Sequence, residues 1–264
     1  MDTQYSYTED GGREFLENKP FLEPFVQAAA MGAVTSKLEL TSNVVKLPVR
    51  PPLYSAKMAA SIAALTNNRF NFGVGLSVWP EDYCVMGVSY ADRGKRFDEC
   101  IAIVRGLTQG GYFEIHGEFY DLPSVKLNPV PSKPLPILIG GHSDAALKRA
   151  APNDGWMCAG GTLQAIEEMI GKLQHFREEA GGSGERFRIF ATAMGPVTLD
   201  TVSRYAELGV TDMPVVFRNL YAVEEDTQPL QQKLDDMRRF ADTVIAREPC
   251  SIIRAEECTS QGAH

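Results

Sequence analysis

Two rhythms alternate along the chain: apolar residues at helical spacing, and short near-continuous apolar runs. In EPFVQAAAMGAVTS, residues 23–36, Phe25, Ala28, Ala29 and Ala33 fall on one side of a helix. KLELTSNVVKLPV, residues 37–49, is β-rich, and Pro48, Pro51 and Pro52 stop it. Residues 53–68 predict a second helix, whose Ala56, Ala59, Ala60 and Ala63 form a small stripe suited to close packing. RFNFGVGLSV, residues 69–78, reads as a strand running into glycines, and residues 79–94 read as a loop. In RFDECIAIVRGLTQ, residues 96–109, Phe97, Ile101, Val104 and Leu107 return to the helical period.

The second half repeats the rhythm. Strands are predicted at 137–141, 155–160, 187–195 and 210–217, and helices at 143–152, 163–181, 198–209 and 228–248. Gly181 and Gly182 supply a natural helix stop. Residues 110–136 are turn-rich with short β-like pieces and read as an insertion. Alternating strands and helices argue for βαβ units and a parallel sheet. Six strands are predicted, whereas a closed barrel of this type has eight. The shortfall lies at the front, where a loop-like segment and a helix stand in place of an earlier strand. The expected organisation is one barrel domain over 1–248, with an insertion at about 110–135, and a loose tail over 249–264.

Composition narrows the class. Of 264 residues, 44% are hydrophobic and 23% charged, enough for a sizeable core. The net charge is −8 with no basic cluster, which argues against a nucleic-acid partner. Five cysteines, an odd number without a C-x-x-C pair, read as reduced thiols. His116, His142, His175 and His264 lack ligand spacing, so no metal site is expected. No apolar run is long enough to cross a bilayer, and the opening MDTQYSYTEDGGREF has no signal-peptide core. The expected location is the cytoplasm.

Candidate chemistry gathers at predicted strand ends. Gly140, Gly141, His142 and Ser143 follow a strand and open a helix. Free N–H groups and a partial positive charge at a helix start attract anions, phosphate above all. The same residues also suit a tight turn with Ser143 as N-cap. Gly73 and Gly75 end another strand, as a crowded packing site or a ligand-facing one. Arg93 lies near a helix start, where a cation opposes the dipole and calls for an anion: Asp92, Asp98, Glu99 or a bound phosphate. Asn43 is a polar residue in an apolar strand, placed to satisfy backbone or to face a barrel mouth. Trp156 is a core residue or a ligand wall. No Ser-His-Asp set, close carboxylate pair or Walker loop occurs, so no catalytic acid or base is named. The residues alone indicate an α/β barrel-like protein with a phosphate-bearing ligand.

Three ordered blocks carry a resemblance: LELTSNVVKLPVRPPLYSAK, NNRFNFGVGLSVWPEDYCVMGVSYADRGKRFDE and HGEFYDLPSVKLNPVPSKPLPILIGGHSDAALKRAAPNDGW. They cover residues 20 to about 160 densely. Together they resemble the bacterial luciferase-like monooxygenase family, especially its branch using the deazaflavin coenzyme F-420. The resemblance implies a (β/α)8 TIM-barrel-like fold, here without the first strand-helix-strand, which would leave the edge near Leu38 to Val45 unpaired. It implies a flavin or deazaflavin at the C-terminal mouth. Arg93 matches a phosphate-contacting arginine, and Gly140, Gly141, His142 and Ser143 match the phosphate-binding turn. Asn43 and Val44 fall where the family carries a non-prolyl cis peptide under the isoalloxazine ring, and Gly73 and Gly75 border the ring pocket. Ser77 and Val78 depart from the family's usual Gly-Trp.

The implied activity is hydride transfer between coenzyme F-420 and a small organic substrate. The alternative is an FMN-dependent monooxygenase using molecular oxygen. A non-catalytic barrel remnant and a sugar-phosphate barrel enzyme compete with both, although the latter leaves the Arg93 block unexplained. The family also implies a homodimer.

Overall fold

A computed structural model describes residues 19–182, 186–218 and 222–247. Its first helix, α1 (Pro24–Val34), starts where Glu23 accepts hydrogen bonds from the Phe25 and Val26 N–H groups. Two short strands follow, β1 (Leu40–Thr41) and β2 (Val45–Lys46), then helix α2 (Pro52–Leu65) and strand β3 (Phe70–Gly75). Beyond them lie α3 (Pro80–Val85), α4 (Arg93–Thr108), and the strands β4 (Tyr112–His116) and β5 (Asp121–Lys126). The chain continues through β6 (Ile137–Gly140), α5 (Asp144–Ala150), β7 (Gly155–Cys158), α6 (Leu163–Glu179) and β8 (Arg188–Ala191). Helices α7 (Leu199–Glu207) and α8 (Leu230–Thr243) follow, and short 3-10 turns lie at Leu47–Val49 and Ile245–Arg247.

The main sheet is parallel and curled into a half-barrel, in the order β1-β3-β6-β7-β8, with β2 also paired to β3. Val45 and Lys46 stand opposite Val74 and Gly75, while Phe72 to Val74 stand opposite Ile137 to Ile139. Parallel strands with helical crossovers bury both faces of the sheet. On the convex side Val45, Phe70, Phe72, Val74, Ile137, Ile139, Trp156 and Ile189 pack beneath the helices. On the concave side Val44, Leu138, Met157 and Phe190 form a second cluster. The side-chain period of two along each strand divides the residues in this way.

Helix α1 docks through Phe25, whose ring centroid lies 6.5 Å from that of Phe70 and 5.7 Å from that of Phe72. Burying one such ring is worth about 1.5–3 kcal/mol. The alanine stripe of α2 is fully buried and lets that helix sit close to α4. Just past the end of α6, Gly181 has a φ of 70°, which suits the left-handed position after a helix.

The insertion forms an antiparallel hairpin of β4 and β5. The Glu99 carboxylate, on α4, clamps it by accepting from the Glu118 N–H at 2.7 Å and from the Phe119 and Tyr120 N–H groups at 3.0 Å.

Three sequence expectations differ from the structure. The predicted strand 37–49 is split, because the chain turns at Ser42 to Val44 and the Ser42 hydroxyl bonds the Gly73 carbonyl at 2.9 Å. The predicted loop 79–94 contains α3; Pro80 in its first turn and the acids Glu81 and Asp82 are helix-start signals. Among the described residues, the predicted strand 210–217 makes a single bridge, Phe190 to Asp212, and Pro214 has no N–H to extend a ladder. The expected tail, 249–264, lies outside the described residues. No helix among the described residues is long and apolar enough to cross a membrane.

Candidate active site at the strand ends

The C-terminal ends of β2, β3, β6 and β7 bring together most of the residues singled out in the sequence. The Asn43–Val44 bond is cis. The Val44 side chain lies across the floor between β3 and β6: a Cβ on Gly75 would stand 2.8 Å from Val44 Cγ2, and one on Gly140 3.0 Å from Val44 Cγ1. A Cβ on Gly73 would run into the Ser42 carbonyl oxygen. Close packing thus accounts for these three glycines, and the result is a flat floor at the strand ends. Asn43 is exposed, and its side chain has no hydrogen-bond partner among the described residues.

The turn from β6 into α5 is ordered from within. Gly141 has φ 135°, a value that L side chains avoid. Its carbonyl accepts the Trp156 indole N–H at 2.7 Å, and Trp156 is fully buried in the core. Ser143 caps α5 by accepting from the Ala146 N–H. The first N–H groups of a helix have no partner within it, and α5 begins directly after the C-terminal end of β6. Asp144, which would repel an anion there, is ion-paired with Lys172 at 2.9 Å.

His142 turns toward β7. Its Nε2 accepts the Ala159 N–H at 3.0 Å and lies 3.4 Å from Cys158 Sγ. Burial lowers the imidazole pKa below its ordinary value, in keeping with an unprotonated Nε2. Burial likewise pushes the Cys158 thiol up to about 11.

Arg93 opens α4, and the nearby carboxylates are engaged elsewhere. Glu99 holds the hairpin, Asp98 pairs with Arg149 at 2.5 Å, and Asp92 lies 3.8 Å from Lys95. Arg93 itself stacks on Tyr90, 4.0 Å from the ring centroid, and reaches the Tyr90 carbonyl at 3.5 Å. It has no carboxylate partner among the described residues. Tyr90 packs edge-on against the buried Tyr83, 5.2 Å between centroids. Arg149 also donates to the Gly94 carbonyl at 3.2 Å, which fastens the first turn of α4 beside α5.

One cluster on this rim escaped the sequence reading. The Lys46 ammonium lies 2.5 Å from Asp82 and 4.3 Å from the centre of the Trp79 ring. The Ser77 hydroxyl donates to the same Asp82 oxygen. Only the pairing of Lys46 with Gly75 across the sheet brings these groups together; the tryptophan and acids after β3 were the available signal.

Two surface grooves, of about 630 Å³ between α7 and α8 and about 670 Å³ between α4 and α5, lie on the outer helical layer. Neither is lined by Asn43, Val44, Gly73, Gly75, Arg93 or residues 140–143. Parallel α/β folds bind ligands at strand ends, so the candidate site is the ends of β2, β3, β6 and β7.

Comparison with known proteins agrees with this fold. The family model described as luciferase-like monooxygenase matches residues 4–236. An uncharacterized protein of Mycobacterium tuberculosis is 53% identical over 246 residues, covering 93% of this chain and 85% of that one. The pyrimidine monooxygenase RutA of Acinetobacter baylyi is 26% identical over 204 residues; the match covers 74% of this chain and 54% of that protein's length. An F420-dependent secondary alcohol dehydrogenase, solved with an F420-acetone adduct, superposes with a TM-score of 0.61 at 14% identity, over 88% of this chain and 79% of that one.

Proposed function

This chain belongs to the luciferase-like monooxygenase family, and from that premise we propose that it is a flavin- or deazaflavin-dependent oxidoreductase working at the strand-end rim. The preferred cofactor is coenzyme F-420, because the ordered GEFY, P-x-P and GG-x-S-x-A-A-L-x-R-A blocks look most like that branch. The second reading is an FMN-dependent monooxygenase; its monooxygenase part is in line with the 26% identity to a protein named pyrimidine monooxygenase. When bound, the cofactor supplies the redox step: hydride exchange with a small organic substrate for F-420, or oxygen chemistry for FMN.

The observation that carries the reading is Arg93, a cation at a helix start whose neighbouring carboxylates are all engaged elsewhere. A cofactor phosphate would complete it. The backbone of Gly140, Gly141, His142 and Ser143 would meet the phosphate from the other side. Val44, with Asn43 before it and Gly73 and Gly75 alongside, would support the ring. The chain's own work is to bind, orient and shield.

A homodimer belongs to the same reading. Helix α1 carries no charged residue, and its outer face exposes Val26 and Val34, a surface that a second copy would cover.

The test is calorimetric titration of the folded chain with coenzyme F-420 and, separately, with FMN, repeated on Arg93→Ala. One cofactor is expected to bind saturably and at least tenfold more weakly to the variant, a loss of about 1.4 kcal/mol. Preference for FMN selects the second reading. Binding of neither overturns the enzyme assignment in favour of a non-catalytic barrel.

A further inference from the structure

We propose that Lys46 and Asp82 form the polar end of the substrate site, and that they receive a neutral amide group. Its carbonyl oxygen would lie on the Lys46 ammonium and its N–H on the Asp82 carboxylate. The inference rests on the cofactor reading above and adds the substrate class.

Three observations carry it. First, position: Lys46 stands opposite Gly75 in the sheet, so the cluster adjoins the glycine floor. Second, open valences: Asp82 Oδ2 takes both the Lys46 ammonium and the Ser77 hydroxyl, while Oδ1 has no hydrogen-bond partner among the described residues. The Lys46 and Asp82 side chains are 38% and 30% exposed, and an ammonium has three N–H donors. A donor and an acceptor therefore stand side by side, facing outward. Third, charge: the pair sums to zero. A carboxylate ligand would satisfy Lys46 but press its second oxygen against Asp82, and an amine would do the reverse. An amide carries an acceptor and a donor on adjacent atoms and meets neither penalty. The Trp79 ring beside the ammonium gives a planar substituent an apolar surface.

The test is calorimetry on cofactor-loaded protein with benzamide, N,N-dimethylbenzamide and benzoate, for wild type, Lys46→Met and Asp82→Asn. Cofactor affinity and melting temperature are read in parallel. Benzamide is expected to bind at least tenfold more tightly than either other probe. Lys46→Met loses at least tenfold in benzamide affinity, with cofactor affinity kept within threefold. Asp82→Asn removes the competing carboxylate and shifts preference toward benzoate, a reversal that a merely structural strap between β2 and α3 would not produce. Wild type that binds benzoate at least as tightly as benzamide, or that binds none of the probes, overturns the inference. So do variants that lower the melting temperature while leaving selectivity unchanged. Failure of the cofactor itself to bind removes the underlying reading instead, and the two failures are told apart in one experiment.

Discussion

The two rims of the sheet handle charge differently. At the N-terminal ends of the strands, polar groups satisfy one another. Arg188 bonds Asp212 at 2.5 and 3.1 Å and Glu39 at 2.8 Å, and Asn71 donates to Glu39 and Thr41. Arg69 bonds the Gly32, Thr35, Leu38 and Thr66 carbonyls, closing the free carbonyl end of α1. At the C-terminal ends, Arg93 lacks a carboxylate partner, Asn43 lacks a hydrogen bond, and Asp82 keeps an oxygen open among the described residues. Burial alone would lower the Arg188 pKa, yet its bonds to Asp212 and Glu39 outweigh this and the net shift is upward. The lower rim uses its charges to hold strands together, whereas the upper rim pairs Lys46 with Asp82 and Asp144 with Lys172 but leaves Arg93 without a carboxylate partner among the described residues. In parallel barrels generally, the C-terminal strand ends carry the chemistry and the opposite face the stability; the site proposed above follows that rule.

The comparison breaks most sharply at Gly73, where the upper rim has no slack. Gly73→Ala drives a methyl group into backbone, and its expected cost is about 3 kcal/mol or more, read by chemical denaturation. A tolerated alanine would mean that the floor is soft and the site poorly formed. Arg188→Met comes next. It strands Asp212 and Glu39, and the expected loss is about 1–3 kcal/mol, or about 2–4 °C per kcal/mol in thermal melting, with cofactor affinity unchanged. Arg93→Met should give the mirror image: a melting temperature equivalent to within about 0.5 kcal/mol of wild type, with cofactor binding lost. If each substitution moved both properties, the division of labour between the rims would fall.

The smallest effect concerns His142. Its folded-state pKa is depressed by burial, so the unfolded chain binds the proton more readily. Stability from the neutral imidazole is therefore complete above the unfolded value of about 6.5. It is lost as pH falls through the lower folded value. His142→Gln should flatten the stability profile below pH 6.5 by less than about 1 kcal/mol, measured as melting temperature against pH. A steeper profile in the variant would show that His142 does not titrate in this sense.

Much of this architecture was legible in the chain. Helix α2 follows from its alanine stripe, α4 from Phe97, Ile101, Val104 and Leu107, and β3 and β6 from apolar runs ending in glycine. Each is a local pattern, and a period of 3.6 or 2 is written into consecutive residues. Arg93 and the turn after β6 were singled out by their helix-start positions, and the resemblance implied a phosphate role for both. The sequence left four readings of Arg93 open; in the structure Asp98 bonds Arg149, Glu99 bonds the hairpin and Asp92 lies 3.8 Å from Lys95, and the phosphate reading remains a proposal. Helix α3 was missed because six residues hold too little periodic signal, although its proline and acids were visible.

Local order and family membership were thus determined by the sequence itself. What only the tertiary structure decided is which groups end up side by side. Lys46 and Asp82 are 36 positions apart, and Arg188 and Glu39 are 149 apart. Pairings at such separations depend on strand register, which no local window of sequence contains. For the same reason the different treatment of charge at the two rims becomes visible only once the strands are aligned.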